Sequence, residues 1–489
     1  ASTLTQQVIK NSFSWQDKTI KRKTQEAWLA IKLEQKYSKE EIFEMYFNKI
    51  LMSGMNYGFG TGAKYFYDKP LEELELHEAA MLAGLPQSPN GYNPFQHPER
   101  AEKRRNTVLH LMEKHGKITP AQRQEAEAIP VTATLTEEPT VKPTKYPAYV
   151  DLVLTELDKE GLSDILAEGV IVQTALEPNV QETVEEKIAN DALYESEEMQ
   201  AAMTVLDTRT GAIVAVGGGR DYAGRDLNFA TKPFRSPGSV IKPILSYGPA
   251  IEQFNWSTGE AMYDEPYKYK GTNQSINNVD GRFLGTITLR EALYKSRNIP
   301  AVKVFEEVGA ENAKDFAKKL GLSYKNIYSS DALGGGDNNF STVEIAGAYA
   351  AFGNGGMYTK PHAVKKIIFR DGSERNVTPA QKNAMSDSTA YMITDVLRDV
   401  LTKGTGKRAN VSSLDLAGKT GTTNYDENFR KKHNFKGHYV PDTWFAGYSN
   451  EYTIAAWGGY KEYKDPIKTY DEGRHVPQNL FRQVMQEIA

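Results

Sequence analysis

Apolar residues recur at helical spacing through roughly the first 115 residues, and the pattern changes after them. Thr24 to Lys36 and Ser38 to Phe47 read as helices, and Ser38 followed by Glu41 predicts a capping box at the start of the second. Glu75 to Leu85 is a third helix, stopped by Pro86. Ala101 to Lys114 is a fourth, with Val108, Leu109 and Met112 on one face. Ile129 to Tyr149 is broken by Pro130, Pro139, Pro143 and Pro147, which favours extended backbone. A strand from Gly169 to Leu176 and a helix from Val180 to about Ile188 come next. Met203 to Val216 predicts two strands around the turn Asp207–Gly211. Thr443 to Tyr448 and Tyr452 to Trp457 predict a second pair around Ser449-Asn450-Glu451. Helices Glu291–Lys295 and Thr389–Leu401 lie between these strand pairs, and Asn479 to Ile488 closes the chain. The expected architecture is a mostly α region over 1–115, a small α/β linker over 116–195, and an α/β domain with a mixed sheet and packed helices over 196–489.

A chain of 489 residues is too long for one ordinary core, which agrees with that division. Hydrophobic content of 39% and charged content of 25% are those of a soluble globular protein. A net charge of −4 gives no general affinity for nucleic acid. With no cysteine, disulfides, thiolate metal sites and cysteine nucleophiles are excluded. The eight histidines show no metal-ligand spacing, so no structural metal is expected. No apolar run is long enough to cross a membrane.

The chemistry concentrates in three short motifs. Ser239-Val240-Ile241-Lys242 places a hydroxyl and an amine three residues apart, on one face of a helix. A lysine among apolar residues and other cations can lose enough basicity to take a serine proton. Pro243 comes at once, so this helix is expected to kink or to begin near the motif. Ser296-Arg297-Asn298 is the second motif. Lys419-Thr420-Gly421 is the third, on a glycine-bearing strand edge, Ala417 to Thr423, suited to close approach by a ligand. The runs Gly217–Gly219, Gly334–Gly336 and Gly404–Lys407 lack phosphate-loop spacing and read as turns or close packing.

In order and type these motifs resemble the signature of penicillin-binding proteins and serine β-lactamases. The resemblance implies that Ser239 attacks a peptide carbonyl and Lys242 takes its proton. Ser296 relays a proton to the leaving amine, and Asn298 binds the substrate amide or orients Lys242. Lys419, Thr420, Gly421 and Thr422 receive the substrate carboxylate, and the backbone N–H groups of Ser239 and Thr422 face the oxyanion.

Four patterns near the start resemble the glycosyltransferases that share a chain with such transpeptidases. They are Ala1-Ser2-Thr3-Leu4-Thr5-Gln6-Gln7 with Lys10; Arg22-Lys23-Thr24-Gln25-Glu26; Lys39 to Asn48; and Arg105-Asn106-Thr107-Val108-Leu109. From Lys10 to Lys36 there are seven Lys/Arg and three Asp/Glu, an excess of four positive charges in an acidic chain. Lys10, Arg22 and Lys23 are therefore candidates for diphosphate contacts, with Gln6 beside them, and a solvated helix face is the plainer alternative. The resemblance makes Glu26 a catalytic carboxylate. It also implies a second, general-base Glu and a membrane anchor, both expected upstream of a chain that begins inside a motif. Leu51, Met52, Met55, Tyr57, Phe59, Tyr65, Phe66 and Tyr67 suit either a lipid-facing jaw or a core.

As a whole the chain resembles a bifunctional class A penicillin-binding protein of Gram-positive type. That resemblance implies an enzyme at the extracytoplasmic face of a bacterial membrane that polymerises lipid II through a lysozyme-like helical domain and cross-links stem peptides. β-Lactams would acylate Ser239. Transpeptidation needs no cofactor on this reading, and a divalent cation belongs to the expectation for glycosyl transfer. The alternatives are a serine D,D-carboxypeptidase or β-lactamase, or a β-lactam-binding scaffold with an inactive N-terminal part.

Overall fold

The structure is a computed structural model that describes residues 3–12, 20–53, 56–89, 91–136, 145–162, 165–166, 169–220, 222, 227–369, 371–468 and 473–489, the side chains of 10–12 and 20–22 excepted. The chain divides into two compact units. One comprises Ala1–Lys145, Leu157–Val170 and Phe369–Gly372; the other comprises Tyr146–Glu156, Ile171–Ile368 and Ser373–Ala489. The stretch expected as a linker, 116–195, is shared between them. Helix Pro120–Ala128 belongs to the first unit; strand Ile171–Thr174 and helix Pro178–Ile188 belong to the second. Among the described residues no helix is long and apolar enough to cross a membrane.

The first unit is helical: α1 (Leu4–Ser12), α2 (Ile20–Lys36), α3 (Lys39–Lys49), α4 (Phe59–Tyr67), α5 (Leu76–Gly84), α6 (Pro98–Lys114) and α7 (Pro120–Ala128). Ser38 and Glu41 form the capping box at the head of α3, each side chain bonded to the other's backbone N–H. Its core gathers Ile50, Met52, Phe59, Phe66, Tyr67, Met81, Leu82 and Leu85. The apolar run after α3 is therefore mainly core. Met52 and Phe66 are fully buried, Tyr57 is exposed, and Met55 lies outside the described residues. Arg105 is buried in α6 and donates through Nη1 to Ile129 O and through Nη2 to Glu127 O, satisfying carbonyls at the C-terminal end of α7.

The second unit is built on a five-stranded sheet. Its strands are β1 (Gln200–Asp207), β2 (Ile213–Gly217), β3 (Ala417–Thr422), β4 (Asp442–Tyr448) and β5 (Tyr452–Gly459), in the order β3-β4-β5-β1-β2. The sheet expected to be mixed has its five strands paired antiparallel, β1–β2 and β4–β5 as hairpins, and among the described residues a parallel contact adjoins it at the bridge Ala212–His362. The strands read as continuous apolar runs because helices cover both faces. Helices Thr342–Gly353 and Asp387–Thr402 pack together on one side, and Pro178–Ile188 and Val476–Ile488 on the other. β3 is an edge strand. The Ser239–Lys242 segment lies against it as a 3₁₀ turn over Gly238–Ile241, a π-helical turn over Pro243–Tyr247 and an α-helix over Gly248–Phe254. This is the expected break at Pro243, whose missing N–H cannot continue a regular ladder.

Candidate active site

In a 3₁₀ turn residues three apart eclipse, so Ser239 and Lys242 share a face, and Lys242 N–H closes the turn on Ser239 O. The turn is held by backbone contact. Gly238 has φ +57°, and a Cβ there would lie 2.9 Å from Thr422 N. A Cβ on Gly334, also at positive φ, would lie 2.3 Å from Gly238 N, and one on Gly421 2.7 Å from Pro237 O. Of the glycine runs read as turns or close packing, Gly334 thus packs against this turn, whereas Gly217 meets Ile188 and Gly404 meets Tyr294 O. Tyr349 Oη donates to Val240 O at 2.6 Å and pins the turn from behind.

Lys242 is fully buried. Its Nζ donates to Ser296 O and Asn298 Oδ1, each at 2.7 Å, with Arg297 O at 3.2 Å and Ser296 Oγ at 3.3 Å. Burial, then the charges of Lys419 and Arg297, push this amine well below its usual range. A neutral amine has two N–H groups and one lone pair. The two shortest contacts use the donors and leave the lone pair for a proton. No hydrogen bond joins Ser239 Oγ to Lys242 among the described residues, a spacing that catalytic pairs commonly show before substrate tightens them.

Lys419 is also fully buried, and burial pushes it down to about 7. Its Nζ donates to Ser296 Oγ at 2.7 Å and to Thr420 O at 3.0 Å. Ser296 Oγ therefore sits between two lysine amines. Ser296 has φ +57°, a left-handed backbone that is uncommon outside glycine and here turns both its carbonyl and its hydroxyl toward Lys242. Thr420 Oγ1 is paired with Thr405 Oγ1 at 2.6 Å, which ties the loop after helix Asp387–Thr402 to β3. Thr423 N–H donates across to Asp442 O in β4, so the alternate residue, Thr422, presents its N–H to the open edge beside the nucleophile turn. Ser239, Lys242, Ser296, Asn298, Lys419, Thr420, Gly421 and Thr422 thus converge.

Sequence reading missed what holds the middle motif. Arg297 is buried; its Nε donates to Asp264 Oδ2 at 2.7 Å and its Nη1 to Asp280 Oδ2 at 2.9 Å. Asn278 donates to Asp264 Oδ1 at 2.7 Å and accepts Asn298 N–H at 2.8 Å. Asp264 ends the short strand Ala261–Asp264 and Asn278 stands in a polar loop, and neither position reveals its partner; the one available signal was Arg297, a large cation at the centre of Ser296-Arg297-Asn298.

In the first unit, Glu26 is buried on α2 and accepts a hydrogen bond from Lys23 Nζ at 2.6 Å. Gln6 lies on α1 with its Oε1 accepting Thr3 N–H, and Thr5 Oγ1 donates to Glu34 Oε1 at 2.6 Å to bind α1 to α2. The side chains of Lys10 and Arg22 lie outside the described residues.

Residues 1–113 match the family described as Transglycosylase, and residues 201–486 match the Penicillin binding protein transpeptidase domain. The chain belongs to the penicillin-binding proteins that join these two domains. It is 43% identical to penicillin-binding protein 1A/1B of Bacillus subtilis (strain 168), covering 100% of this chain and 54% of that protein. It is 39% identical to penicillin-binding protein 1A of Streptococcus oralis, covering 100% of this chain and 79% of that protein. The chain thus spans about half the length of the Bacillus relative. In fold it is similar to the crystal structure of penicillin-binding protein 1A from Haemophilus influenzae, with TM-score 0.62 at 20% identity over 98% of this chain and 87% of that one.

Proposed function

We propose that this protein is a peptidoglycan synthase whose second unit cross-links stem peptides through an acyl-enzyme on Ser239. The carrying observation is one hydroxyl, Ser296 Oγ, set between two buried amines beside an open strand edge. Ser239 Oγ adds to the peptide carbonyl while its proton passes to Lys242, and the carbonyl oxygen takes the negative charge. Collapse breaks the C–N bond, and the leaving amine takes its proton through Ser296. An acceptor amine then reverses these steps on the ester. Lys419 supplies the positive field for the substrate carboxylate. A β-lactam carries the same carbonyl and carboxylate, and its opened ring cannot leave.

The first unit is proposed to polymerise lipid II, with Glu26 as an acid–base group and Lys23 at the diphosphate; a divalent cation would help neutralise that diphosphate. Family membership supports placing both activities at the extracytoplasmic face of a bacterial membrane. Mass spectrometry after incubation with penicillin tests the acyl-enzyme. A stable adduct on the Ser239 peptide is expected, absent in Ser239→Ala and Lys242→Ala. Rapid penicillin hydrolysis without a lasting adduct would instead establish a β-lactamase.

A further inference from the structure

A second buried charged cluster lies behind the site, and the motifs do not include it. Asp442, the first residue of β4, is fully buried, and Arg235 and Thr423 are nearly so. Asp442 Oδ1 accepts Trp457 Nε1–H at 3.0 Å and lies 3.0 Å from Arg235 Nε. Asp442 Oδ2 accepts the Thr423 hydroxyl at 3.0 Å. Arg235 Nη2 donates to Tyr460 O and Lys461 O, and its guanidinium lies over the rings of Phe234, Trp457 and Tyr463. Burial raises the Asp442 carboxyl to about 6, and Arg235, Trp457 and Thr423 oppose that rise by favouring its charged form.

The cluster reaches both sides of the nucleophile turn. Thr423 immediately succeeds Thr422, whose N–H faces that turn. Arg235 stands four residues before Ser239, and between them Ser236 O accepts Trp444 Nε1–H at 2.9 Å. The oxyanion hole needs two N–H groups from different segments held at fixed separation. One carboxylate binds the residue next to the first donor and the arginine that leads to the second. We propose that Asp442 and Arg235 are positioning residues that set the separation of the Ser239 and Thr422 N–H groups and so stabilise the oxyanion rather than substrate binding. The inference rests on the acyl-enzyme reading of Ser239.

The clamp acts in the transition state, so its loss should appear in the acylation rate and not in the preceding affinity. In Asp442→Asn the first-order acylation constant for penicillin is expected to fall about 10- to 100-fold, with the dissociation constant of the initial complex changed less than about threefold. Affinity for a boronic acid that forms a tetrahedral adduct on Ser239 should fall in parallel. Arg235→Gln should behave alike, and the double variant should lose little more than either single one. Thr423→Val removes one hydroxyl, keeps the shape, and should lose about 3- to 10-fold; it carries the test if Asp442→Asn does not fold. Unchanged acylation and boronate affinity in folded variants would overturn the inference. So would a loss confined to the fraction of active molecules, or one confined to the dissociation constant. Failure of the unsubstituted protein to form any adduct would instead overturn the nucleophile assignment, and this inference with it.

Discussion

At the scale of single residues, the site depends on two amines kept from full protonation by burial. Lys419, at about 7, is charged below that pH and grips a carboxylate; as pH rises through 7 it loses the charge and its hold. Lys242 has the opposite requirement, since only its neutral form accepts the Ser239 proton, so acid silences it. Acylation by an anionic β-lactam should therefore trace a bell, with its alkaline limb beginning near pH 7. Stopped-flow acylation with a chromogenic cephalosporin from about pH 5 to about pH 10 measures this. Lys419→Arg keeps its charge throughout and should lower the plateau but abolish the alkaline limb. Arg297 carries a different kind of load. Its buried pairing with Asp264 holds the left-handed Ser296, and Asp264→Asn leaves a buried guanidinium short of charge. A loss of about 3 kcal/mol in urea unfolding is expected.

Among elements, the nucleophile turn and β3 work as a backbone joint. Gly238→Ala should cost about 1–2 kcal/mol from its positive φ alone, and its methyl would press on Thr422. The expected result is a lower melting temperature and an acylation rate reduced at least about 100-fold, read by gel fluorescence with a labelled penicillin. The elements themselves were legible where their signals are local. The Ser38–Glu41 box, the stop at Pro86, the break at Pro243 and both hairpins of the sheet were set by spacing and turn residues. That Ser239, Lys242, Ser296, Asn298 and the Lys419 strand share one place was legible from three motifs. Asp264, Asn278, Arg235 and Asp442 were not, because each acts on a partner brought near only by tertiary folding: Asp264 meets Arg297 across 33 positions, and Asp442 meets Arg235 across a still longer separation. Which strands become neighbours across the interval between Gly217 and Ala417 was not legible for a similar reason, since that pairing is made only by tertiary folding.

For the whole molecule, the proposed function assigns one chemistry to each unit, and mutation should separate them. Glu26 lies in the first unit and Ser239 in the second. Glu26→Gln should lower glycan polymerisation from lipid II at least about 100-fold, and acylation of Ser239 should stay within about twofold of the unsubstituted protein. A polymerisation assay and a penicillin-labelling time course on one preparation measure both. Equal loss of the two would show that Glu26 serves folding and not glycosyl transfer.

The hydroxyl lodged between two amines has a consequence for timing. Burial first, and then the charges of Lys419 and Arg297, hold Lys242 well below its usual basicity. A carboxylate that reaches Lys419 offsets that part of the field, and Lys242 regains the corresponding share of its basicity while burial keeps the rest lowered. On the proposed reading, the alcohol is thus armed in part by its own guest.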